Sequence, residues 1–134
     1  MEKEFVTYEQ ALALKELGFN SPYPIGGHQG ESVFYFENGK LYYDFRPMYS
    51  SSYHEGQIMA PLKQQVFRWF REKYEWYANL SSWIHEEELG IYHEFEIFKV
   101  KQYSHGSIRF KTYEEAENAC IDKLLEIVKQ LNKQ

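Results

Sequence analysis

The chain has 134 residues, 43% hydrophobic and 26% charged, a balance that fits a single globular domain over 1–134 and excludes a disordered or fibrous chain. Its net charge of -5 argues against nucleic acid as a partner, because non-specific binding draws on Lys and Arg against phosphate. The lone Cys120 leaves no internal disulfide, and neither an apolar leader behind Met1 nor a run of roughly eighteen apolar residues is present, so the expected setting is cytoplasmic, with no membrane.

Aromatic residues stand out: Tyr 12, Phe 10 and Trp 3 make 19% of the chain. An apolar ring with a polar tip suits half-buried sheet faces and recognition surfaces.

A first helix is predicted after Thr7, which caps it with Gln10 as the capping-box partner and Val6 stapled against Ala11. Ala11, Leu14 and Leu17 share one face, and Gly18 with Phe19 supplies a Schellman-type stop. A loop, "NSPYPIGGHQG", follows without any period.

"SVFYFENGKLYYDF" then predicts a hairpin with a two-residue turn at Asn38-Gly39. That turn pairs Phe36 with Leu41, Tyr35 with Tyr42 and Phe34 with Tyr43, and it puts Phe34, Phe36, Leu41, Tyr43 and Phe45 on the core face. Tyr35 and Tyr42 fall on the outer face as an aromatic candidate for binding.

Residues 46–60, "RPMYSSSYHEGQIMA", read as a long loop, the kind that carries function. A second helix is predicted from Pro61, with Leu62, Val66, Trp69, Phe70 and Tyr74 on one face and Arg68, Arg71 and Glu72 on the other. "WYANLSSWI" and "IYHEFEIFKV" are two further strands turning around Glu88-Leu89-Gly90, and "SIRF" is a candidate third.

The last helix starts at Thr112 with Glu115 three residues on, acidic residues at its positive end and Lys129 and Lys133 at its negative end. Ala116, Cys120, Ile121, Leu124, Leu125, Ile127, Val128 and Leu131 form a wide apolar stripe. "FKTYEEAENAC" at this helix echoes "FVTYEQALAL" at the first; the two diverge after the shared alanine, which favours helix-start chemistry used twice over a duplicated unit.

No cofactor, metal or catalytic set is expected. His85, Glu86, Glu87, Glu88 and His93 match no zinc spacing, the serines at 50–52 with Asp44 and His54 lack a nucleophile elbow, and "GGHQG" lacks the lysine of a phosphate loop.

"FVTYEQALALKELGF", "FRWFREKY" and "FKTYEEAENACIDKLLEIVK" together resemble a group of short proteins, without assigned function, from Bacteroidetes and their phages and mobile elements. The resemblance covers both ends and the middle helix. It implies a small accessory cytoplasmic protein encoded by a phage or mobile element, and it brings no site residue with it.

The expected fold is α+β, antiparallel hairpins packed with three helices in the order α-ββ-α-ββ(β)-α. The first functional reading is a non-enzymatic module that binds another protein through tyrosine-bearing sheet surface, the 46–60 loop, or both. A second is a small-ligand or nucleotide binder, or a weak enzyme, built on that loop with Arg46, Tyr53 and His54. A third is single-stranded nucleic-acid binding through Arg68 and Arg71 on the aromatic helix at 61–77. Hairpin edges allow a homodimer, while Lys99 and Lys101 stand near one edge as guards against pairing.

Overall fold

The computed structural model describes residues 2–19, 32–36, 39–44, 57–87, 90–100, 102–105 and 108–133. These form an α+β protein in the order α1 (Tyr8–Glu16), β1 (Ser32–Phe36), β2 (Leu41–Asp44), β3 (Gln57–Met59), α2 (Lys63–Tyr74), β4 (Tyr77–His85), β5 (Gly90–Lys99), β6 (Gln102–His105) and α3 (Tyr113–Asn132). The chain divides into two compact units, Met1–Gln65 and Val66–Gln134. Each contains one three-stranded antiparallel sheet, β2-β1-β3 in the first and β4-β5-β6 in the second.

In the first unit, α1 follows from its punctuation. The Thr7 N–H donates to Gln10 Oε1 at 2.9 Å and the Gln10 N–H to Thr7 Oγ1 at 3.2 Å, so two orphan donors of the first turn are satisfied reciprocally. Gln10 is buried, and this exchange satisfies its side-chain oxygen and its backbone N–H. At the other end Gly18 takes φ 88, and the amides of Gly18 and Phe19 reach the Lys15 and Leu14 carbonyls at 3.0 and 2.9 Å, which is the Schellman arrangement. Val6, Ala11, Leu14 and Phe19 are buried, and α1 lies against β3.

The first hairpin forms, but in another register. Tyr35 stands opposite Leu41, Phe34 opposite Tyr42 and Val33 opposite Tyr43. The expected pairing of Tyr35 with Tyr42 is therefore wrong by one residue, and these two positions fall on opposite faces of the sheet. The physical reason is the loop. The pairing of Tyr35 with Leu41 leaves an odd-membered connection in place of the two-residue turn, and Gly39, at φ 77, lies within it as a left-handed residue.

The 46–60 segment is also not loop throughout. Gln57–Met59 is β3, with Tyr35 opposite Ile58 and Phe34 opposite Met59. A strand of three residues is too short to show a period, and Ile58 is buried where β3 meets α1. The second helix begins at Lys63 rather than Pro61, because the two preceding residues are held in extended pairing: the Pro61 carbonyl accepts the Val6 N–H at 3.1 Å and Leu62 bridges Phe5. The Leu62 N–H donates to Gln65 Oε1 at 3.0 Å, which closes the helix start.

In the second unit, β4 and β5 pair without interruption from Tyr77 with Phe98 to His85 with Gly90. The third strand is β6 at 102–105 and not "SIRF"; Lys99 pairs with Gln102, and neither Val100 nor Lys101 between them in sequence is a usual turn residue. Phe110 of "SIRF" forms an isolated bridge to His93, with amide-to-carbonyl distances of 2.9 and 2.8 Å.

One sheet face is closed by α3. Ile97 and Phe95 of β5 are buried, as are Ala116, Cys120, Ile121, Leu124, Leu125 and Val128 at helical spacing on α3, while Leu131, the last member of the expected stripe, is 47% exposed. Thr112 Oγ1 accepts the Glu115 N–H at 3.1 Å. The echo at the two ends now has a structural meaning: in both, a phenylalanine makes an antiparallel bridge, and two residues later a threonine caps a helix.

α2 ends at Glu75, the only described residue other than glycine with positive φ, at 60. The turn lets the Trp76 N–H reach the Phe70 carbonyl at 3.3 Å. A Cβ in this conformation costs roughly 1 kcal/mol, and the Glu75 side chain is exposed. Glu75→Gly is therefore expected to stabilise the protein by about 0.5–1 kcal/mol, read as a rise in the thermal midpoint, whereas Glu75→Ala should bring no such gain.

Candidate functional site

Strand alternation splits the β4–β5 ladder into two faces. Ala78, Leu80, Ser82 and Ile84 share the α3 side with Ile97, Phe95, His93 and Ile91. The opposite face carries the pairs Tyr77 with Phe98, Asn79 with Glu96, Ser81 with Glu94 and Trp83 with Tyr92, followed by His85. This face has large apolar groups in water, with Trp83 52% exposed and Tyr77 and Phe98 close to 40%.

Its geometry is ordered. The Tyr77 and Phe98 rings stack, with centroids 5.7 Å apart and planes within 11°. At the other end, about 20 Å along the strand, the Trp83 indole N–H donates to Ser81 Oγ at 3.2 Å, and His85 meets Tyr92 edge-on at 6.2 Å. The Arg109 guanidinium lies over the Tyr92 ring, 4.5 Å from its centroid. Glu94 and Glu96 stand between the two aromatic groups. Aromatic faces and carboxylates share one preference, for cations.

The residues singled out in the sequence lie elsewhere. Arg46, Tyr53 and His54 are outside the described residues, as are the "GGHQG" stretch and the serines at 50–52. Tyr35 and Tyr42 sit in β1 and β2 at the register positions given above. On α2, Arg68 Nε pairs with Glu72 Oε1 at 2.8 Å, Arg71 is exposed, and Phe70 is wholly buried. Lys73 lies 5.1 Å from the Trp69 ring centroid and 5.5 Å from that of Tyr74.

His85 and His93 project from opposite faces of the sheet, His93 taking part in a 2.7 Å hydrogen bond with Ser82 Oγ through Nδ1 and meeting Tyr113 edge-on. They cannot share an ion. Cys120 is no better as a nucleophile: burial, aided by the nearby Glu117 charge, pushes its thiol up to about 12. Burial also raises Tyr113, with smaller contributions from Glu117 and Cys120.

The outward face of β4 and β5 was missed because its alternation is mixed. Positions 77, 79, 81 and 83 read Tyr, Asn, Ser, Trp, and positions 78, 80, 82 and 84 read Ala, Leu, Ser, Ile. Neither series is plainly apolar or plainly polar. The usable signal was the aromatic at each end of the odd series together with glutamates at alternate positions of β5.

No protein-family model, curated protein or solved structure matches the chain. Among the described residues no helix is long and apolar enough to cross a membrane.

Proposed function

We propose that this protein is a small, non-enzymatic cytoplasmic module that binds another protein, and that its recognition surface is the outward face of β4 and β5. The resemblance to short proteins of Bacteroidetes, their phages and mobile elements supplies the setting, a small accessory factor. The observation that carries the reading is the array of exposed Tyr77, Phe98 and Trp83 and half-buried Tyr92, with Glu94 and Glu96 between them. Aromatic anchors of this kind dominate protein interfaces.

The chemistry favours an extended segment bearing Arg or Lys. Each cation can meet a ring face and a carboxylate together, and Arg109 over Tyr92 already shows a guanidinium seated on this surface. The net charge of -5 draws the same partner.

The test uses a fluorescein-labelled peptide alternating Arg and Thr, with a Glu–Thr peptide as control, read by anisotropy. The Arg peptide is expected to bind and the Glu peptide not. Trp83→Ala and Glu94→Lys should each weaken binding by about tenfold or more. Equal binding of both peptides, or binding indifferent to both substitutions, would overturn the assignment.

A further inference from the structure

Among the described residues, β4 and β6 are the outer strands of the second sheet, and they are built differently. β6 is four residues long and its pairing with β5 slips between Ile97 and Phe98. Short length and an irregular ladder are the usual ways of blunting an edge. β4 has neither. It runs nine residues in unbroken register, and "YANLSSWIH" contains no Lys, Arg, Asp, Glu, Pro or Gly. An outer strand so long, regular and uncharged is a template for another strand.

Its own side chains lie in water along the second half: Trp83 is 52% and Ile84 76% exposed, and Ile91, across from Ile84 on β5, is 60% exposed. Trp83 and Ile84 are large apolar groups whose outer flanks an added strand would cover.

We infer that two copies of this chain join through β4, antiparallel about a two-fold axis at Ser81, so that their second sheets become one six-stranded sheet. Symmetry restricts the register. Residues directly opposite in an antiparallel pair share a face, so a two-fold axis must pass through a residue position and not between two. An axis at Ser81 is the choice that pairs all nine residues. It sets Tyr77 against His85, Ala78 against Ile84, Asn79 against Trp83 and Leu80 against Ser82 across the axis.

This register suits the side chains. Ile84, the most exposed apolar group of the strand, falls beside Ala78, its smallest residue, and both sit on the face that α3 covers. No like charges meet, although each chain carries a net charge of -5, because none of that charge resides on β4. In this register only position 81 meets its own copy, so a charge there would face itself at the axis, and Ser81 carries none.

The dimer goes beyond the peptide-binding reading and stands or falls separately from it. The test is sedimentation velocity on the full chain over a range of concentrations, with circular dichroism to confirm folding. Wild type is expected to sediment as a dimer, at twice 16.2 kDa. Ser81→Lys and Ser81→Glu, each opposing its own charge at the axis, should each weaken the dimer by roughly a hundredfold. An equimolar mixture of the two should recover it as a one-to-one pair.

Should a charge at position 81 prevent folding, Ile84→Lys serves instead. That position is already in water, and the dimer is expected to weaken because the apolar contact of Ile84 with Ala78 of the second copy is lost. A wild-type chain that remains at 16.2 kDa would overturn the proposal. So would a Ser81→Lys or Ile84→Lys chain that folds and dimerises like wild type, or a mixture of folded position-81 variants that stays monomeric.

Discussion

Replacing Phe70 by alanine is expected to cost the fold about 3–5 kcal/mol, the range for deleting a buried aromatic and leaving a cavity. Phe70 is 0% exposed on α2, and its ring lies 5.1 Å from Trp69 and 6.1 Å from Tyr74. A chain of this size has roughly 5–15 kcal/mol of total stability. Phe70→Ala should therefore bring the denaturant midpoint down by a large fraction of its value, and it could leave the protein unfolded when warmed. Trp69→Ala, one residue earlier on a half-exposed position, should cost clearly less. Had the "FRWFREKY" helix kept its aromatics for stacking on nucleic acid, the ordering would reverse: Phe70→Ala would leave stability nearly unchanged. Equal midpoints for wild type and Phe70→Ala would show that the burial assigned to this ring is wrong.

The same helix shows what the sequence makes legible. Where a signal is local and redundant, it is enough: Thr7 and Gln10 name both partners of the capping box, Gly18 and Phe19 name both amides of the helix stop, and six members of the α3 stripe are buried as their spacing requires. Where the deciding interaction is distant in the chain, the local signal misleads. Pro61 is a good first helical residue by propensity, yet its carbonyl is taken by Val6, more than fifty residues earlier, and the helix starts two residues late. β3 exists because β1 and α1 lie beside it, not because Gln57–Met59 has a pattern. The Asn38-Gly39 turn fails more subtly. A left-handed glycine is required in two loop types that differ by one residue in register, so the dipeptide predicts a hairpin without choosing between them. The site was the least legible part, because exposure on β4 and β5 depends on which face α3 covers, and a mixed alternation does not say.

Raising the pH above 9 is expected to remove stability specifically through Cys120. The sign follows from the direction of the shift. An ordinary thiol ionises near 9.0, whereas the buried Cys120 thiol, with Glu117 adding to the effect, is pushed up to about 12. Below the unfolded value both states hold the proton, and the thiol contributes no pH dependence. Above it the unfolded chain releases a proton that the folded chain keeps, so each further pH unit costs up to about 1.4 kcal/mol until the folded thiol also ionises. Across the whole window the loss approaches about 4 kcal/mol. Other groups titrate in the same range, so wild type alone cannot isolate the effect. Comparison with Cys120→Ala can. At neutral pH alanine should be less stable by about 1 kcal/mol, since a buried sulfur is lost from a packed helix face. As pH rises past 9 that deficit should close and then reverse, because alanine has no proton to lose. Denaturant midpoints of the two proteins, followed from neutral to alkaline pH, decide the matter: crossing curves place the thiol in a dry core, and parallel curves would mean that water reaches Cys120 in the folded state.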